Sequence, residues 1–72
     1  MNYMKLTLGE KLQFLREKAK KTETEVAEQL KLNLTTYQKM EEDFLYPADH
    51  VINKVVSLYD MTYEAFLAVG ED

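Results

Sequence analysis

Helix-start signals recur along this chain at intervals that leave room only for short helices. Thr7 and Glu10 make a Thr-x-x-Glu capping box, in which the threonine hydroxyl and the glutamate carboxylate satisfy two backbone N–H groups reciprocally. Thr22 and Glu25 repeat the pattern, and Asn33, a good N-cap, follows soon after. The first helix is therefore expected to begin at Leu8, with Leu8, Leu12, Leu15 and Ala19 at helical spacing. Lys18, Lys20 and Lys21 suit the negative end of its dipole. The second turns Val26, Ala27 and Leu30 inward. The third offers Tyr37 and Met40 to a core and leaves Leu34, Thr35, Gln38 and Lys39 pointing elsewhere.

Pro47 interrupts the helical pattern, so residues 43–46 are expected to connect rather than continue. A fourth helix is predicted over about residues 48–59, with Ile52, Val55, Val56 and Tyr59 on one stripe, and Thr62 caps a fifth. Leu32 with Tyr37, and Met61 with Phe66, have the spacing of hydrophobic staples. Nothing alternates with period two for long enough to make a sheet. The expected fold is all-α, a compact five-helix arrangement in a single domain spanning residues 1–72. A chain of 72 residues buries only about 60% of its unfolded surface, so its core must be well patterned. Leu12, Leu15, Val26, Ala27, Leu30, Tyr37, Met40, Ile52, Val55, Val56, Tyr59 and Phe66 are the expected core.

Several kinds of chemistry have no footing here. There is no cysteine, which excludes disulfides and thiolate metal sites. The one histidine, His50, stands beside Asp49, and adjacent residues on a helix do not face each other. No glycine-rich phosphate loop, metal-ligand spacing or nucleophile motif is visible. The chain is expected not to be an enzyme and to need neither metal nor cofactor. It shows no long apolar run, so neither a membrane span nor a signal peptide is read, and a cytoplasmic setting is expected.

Two capped helices joined by Lys31, Leu32 and Asn33 have the spacing of a helix-turn-helix, over about residues 22–42. That stretch, TETEVAEQLKLNLTTYQKMEE, resembles the core signature of the phage-repressor and Cro-like (Xre-type) helix-turn-helix family. Thr22, Val26, Ala27, Leu30, Leu32, Thr36 and Glu41 sit where the family pattern wants them, and the likeness continues through Pro47 over about residues 7–69. Ala27 also makes physical sense, because crossing helices need a small side chain at closest approach. The resemblance implies a DNA-binding transcriptional regulator, repressor-like and homodimeric, whose third helix enters the major groove of double-stranded DNA. Carried over, Leu34, Thr35 and Lys39 hold base-facing positions with Gln38 beside them, while Thr22 and Glu23 open the helix that touches a phosphate.

Charge departs from that pattern. Residues 1–39 carry eight Lys/Arg against five acids, whereas residues 40–72 carry only Lys54 against eight. Glu23 replaces the glutamine of relatives, Lys31 takes the usual turn glycine, and Glu42 and Asp43 follow Glu41 where a basic or amide residue and glycine are common. Lys31 then needs a left-handed backbone at a cost of about 1 kcal/mol. Residues 22–46 hold two basic side chains and six acidic ones, a poor footing for phosphate neutralisation.

The loop expected to carry Lys or Arg reads Phe44, Leu45, Tyr46 instead. Large apolar residues in an exposed connector mark a contact surface. Together with Val51 and Leu58 they are expected to form a partner surface, in a homodimer or against another protein. A second function therefore stays open: an interaction module or inhibitor that keeps the fold but binds a protein partner through an acidic, aromatic surface.

Overall fold

The computed structural model describes residues 5–71 and contains five α-helices among them and no strand; residues 1–4 and 72 of the expected domain lie outside this range. Each helix starts where a side chain can accept an orphan N–H. In α1 (Leu8–Lys18) the Thr7 hydroxyl accepts from Glu10 N at 3.1 Å and Glu10 Oε1 from Thr7 N at 2.9 Å. In α2 (Glu23–Leu30) Thr22 and Glu25 do the same at 3.1 and 2.7 Å. Asn33 Oδ1 accepts from Thr35 N at 2.9 Å to open α3 (Leu34–Glu41). α4 (Asp49–Leu58) follows Ala48 without a side-chain cap, and Thr62 caps α5 (Tyr63–Leu67). None of these helices is long and apolar enough to cross a membrane.

The helix ends show a regularity that the sequence disclosed only at Lys31. Lys20, Lys31, Asp43 and Asp60 follow α1 to α4 in turn, and all four have positive φ, between 54° and 64°. At Lys31 the left-handed turn lets Leu32 N donate to Ala27 O at 2.8 Å, closing the helix end. Without glycine each such turn costs about 1 kcal/mol, so tertiary contacts must hold the tight connections in place.

α3 lies against both α1 and α2, α4 packs on α2, and α5 packs on α4. Tyr37 and Phe66 are fully enclosed, and ten of the twelve expected core residues are buried: Leu12, Leu15, Val26, Ala27, Leu30, Tyr37, Met40, Ile52, Val55 and Phe66. Val56 and Tyr59 are half-buried at its edge, as are the staple residues Leu32 and Met61. Val51 requires a correction. Expected on an exposed partner surface, it is 8% exposed, because it lies one helical turn before Val55 and shares its inward face.

One close crossing and one polar contact tie the layers together. Gly9 forms the close crossing of α1 over α3: a Cβ there would stand 2.7 Å from the Met40 carbonyl oxygen and closer still to that of Glu41. The buried Lys11 donates its ammonium to the Leu67 carbonyl at the end of α5 and stands 4.0 Å from Glu71.

Candidate nucleic-acid interface

α2 and α3 bury facing apolar sides, Val26, Ala27 and Leu30 on one and Tyr37 and Met40 on the other. The opposite side of α3 is left to solvent. Leu34, Thr35, Gln38 and Lys39 recur at intervals of one and four residues, which places them on one helix face. Leu34 is 38% exposed, and Thr35 and Lys39 are exposed with no side-chain hydrogen bond to the described residues. Gln38 is half-buried and donates to Glu23 Oε1 at 3.2 Å, so the start of α2 orients it. Thr22 serves as N-cap. The expected site residues are thus brought together, Leu34, Thr35 and Lys39 free on one strip and Gln38 joined to Glu23 at its border.

What anchors this face is an ion pair that spacing alone did not reveal. Glu41, at the end of α3, is 2% exposed. Arg16 of α1 grips it in a fork, Nε to Oε2 at 2.7 Å and Nη2 to Oε1 at 3.2 Å, while Nη1 donates to the Lys21 carbonyl at 3.2 Å. One guanidinium therefore clamps α1, the α1–α2 turn and the last turn of α3. The hydrogen bond from Glu41 holds Arg16 protonated above even the usual arginine range, against the opposing effect of burial.

Glu41 also acts on two tyrosines. Burial first, then the adjoining carboxylate, pushes the Tyr37 hydroxyl well above the usual phenol range. The same two causes lift Tyr59 to about 12. Since the folded form resists ionisation of groups that ionise near pH 10 when unfolded, their contribution is intact below pH 10 and is lost as pH rises through 10 towards 12 and beyond. Urea melts across that range should show falling stability, and Tyr59→Phe should blunt the fall. A flat profile in the parent would place both rings in solvent.

The structure also redistributes the acidic charge. Asp43 is exposed but not a free carboxylate: Oδ2 accepts from Thr7 Oγ1 at 2.5 Å and Oδ1 from Gly9 N at 2.8 Å. It caps α1 from thirty-six residues away, at the positive end of that helix. With Glu41 neutralised inside, the acids of this region at the surface are Glu23, Glu25, Glu28, Glu42 and Asp43, of which Glu25 and Asp43 are already bonded at helix caps. Lys31 and Lys39 lie among them, and Lys18, Lys20 and Lys21 stand at the turn leading into α2.

Phe44 and Tyr46 are 80% and 71% exposed, and Leu45 is exposed beside them. Leu58 is half-buried at the far end of α4, and His50 is exposed in its first turn. The expected partner surface is therefore not continuous, because Val51 is internal and about 14 Å of helix separates the connector from Leu58. No protein-family model, curated protein or solved structure matches this chain.

Proposed function

We propose that this chain is a DNA-binding transcriptional regulator of the helix-turn-helix type, with α3 lying in the major groove of double-stranded DNA. The observation that carries this reading is the strip of Leu34, Thr35 and Lys39, outward-facing and unbonded, on a helix whose far side is clamped by Arg16. A rigid helix with its N-terminal residues free is what base-edge contact requires. Lys39 suits guanine, and Leu34 or Thr35 suits a thymine methyl. The burial of Glu41 against Arg16 lowers the electrostatic obstacle that the bare acid count presents. A cytoplasmic setting goes with this reading.

The test is fluorescence anisotropy of labelled duplexes at rising salt, starting from a random-sequence pool. Binding that weakens with salt and enriches one sequence supports the proposal, since phosphate contacts release counterions. Absence of any duplex binding at low salt would refute it. The second reading, protein contact through Phe44, Leu45 and Tyr46, is favoured by their exposure.

A further inference from the structure

The exposed connector is not a loose loop. Asp43 is held to the start of α1 by two hydrogen bonds, Phe44 N and Leu45 N both donate to the Lys39 carbonyl, at 2.9 and 3.3 Å, and Pro47 is buried behind them. Phe44 and Tyr46 thus project as a fixed knob, and a fixed aromatic binds with little ordering cost. Aromatic residues of this kind dominate interface energies where a pocket receives them.

Along the middle and last turn of α4 the surface has a groove of about 460 Å³, lined by Gln29, Lys31, Asn53, Lys54, Ser57 and Leu58. Leu58 supplies an apolar wall, and two lysines stand among its polar lining. Lys54 spends one donor on the Leu30 carbonyl at 3.2 Å and keeps two more. The knob bears the opposite charge: Glu42 precedes Phe44, and Asp49 follows Pro47 by two residues, both exposed.

We infer that the groove between α2 and α4 receives the Phe44–Tyr46 knob of a second copy of this chain, with Lys31 and Lys54 facing Glu42 and Asp49. The molecule's own connector does not line this groove and is fixed to α1 and α3, which leaves the groove to another occupant. Packing connector against connector would oppose like charges, whereas knob in groove pairs unlike ones. The connector leads into α4 and the groove flanks that helix, so a two-fold arrangement of two copies makes the contact twice and closes a dimer. This inference is independent of DNA binding.

The experiment is sedimentation of the whole chain at low salt, with two surface variants. Phe44→Ser/Tyr46→Ser removes the knob, and Lys31→Glu/Ser57→Glu reverses the groove. Ser57→Trp fills the groove without altering charge and serves where the acidic pair fails to fold. The parent should self-associate, and each variant alone, having lost both contacts, should do so about a hundredfold more weakly or not at all. Mixing the knobless variant with a groove variant should restore an assembly, because one copy still offers a groove and the other a knob. A parent that stays monomeric at about millimolar concentration overturns the inference, since even weak specific contacts register there. So does a mixture that fails to associate, or a groove variant that associates as well as the parent.

Discussion

Arg16→Ala should cost about 3–5 kcal/mol of folding stability, because it leaves the Glu41 carboxylate buried without a counter-charge. For a chain of 72 residues the whole margin is on the order of several kcal/mol, so this variant should be largely unfolded at physiological temperature. The loss has two parts. Two charge-assisted hydrogen bonds to Glu41 disappear, and a third donor leaves the Lys21 carbonyl. Arg16→Lys should fall between, since an ammonium keeps the charge but cannot make the planar fork. Arg16→Met with Glu41→Leu should recover most of the stability, because apolar replacement of both partners removes the stranded charge. Urea denaturation reads all three from the midpoint at unchanged slope. A loss below about 1 kcal/mol in Arg16→Ala would mean that Glu41 is hydrated after all.

The same pair shows where sequence reading stops. Helix starts were legible because capping is local: Thr7 with Glu10 and Thr22 with Glu25 meet across three residues, and both boxes form as the pattern predicts. Most of the core followed from helical periodicity for the same reason. Glu41 was different. Its partner lies twenty-five residues earlier, and until α1 is laid across α3 neither capping nor periodicity separates it from its exposed neighbour Glu42. Asp43 is surface charge as counted, but its capping of α1 was hidden too, because its partners Thr7 and Gly9 are more distant still. Gly9 carries no periodic signal, yet its missing side chain is what lets the two helices approach. Val51 was misplaced because an extra valine on an amphipathic helix fits either edge of the apolar stripe, and only the packing of α4 on α2 decides which.

The largest functional effect is expected from reversing the charge of Lys39. Its side chain is free in solvent on the α3 strip, whereas its backbone carbonyl holds the connector through Phe44 N and Leu45 N, so substitution alters the face without disturbing the turn. Lys39→Glu removes one of the few cations on this face and adds a like charge against the duplex, which together should weaken binding about a hundredfold. Lys39→Ala separates the causes. Loss confined to the preferred sequence identifies a base contact, whereas an even loss with a salt slope smaller by about one identifies a phosphate contact. Glu23→Gln with Glu42→Arg works in the opposite direction. Gln38 now donates to Glu23 Oε1, and a glutamine there still presents an acceptor, so the border of the strip is kept while repulsion falls. That double variant should bind duplexes more tightly with little sequence preference and a steeper salt dependence. If Lys39→Glu leaves a measured specific affinity unchanged, α3 does not read the groove through this face, and the strip of Leu34, Thr35 and Lys39 is solvated surface.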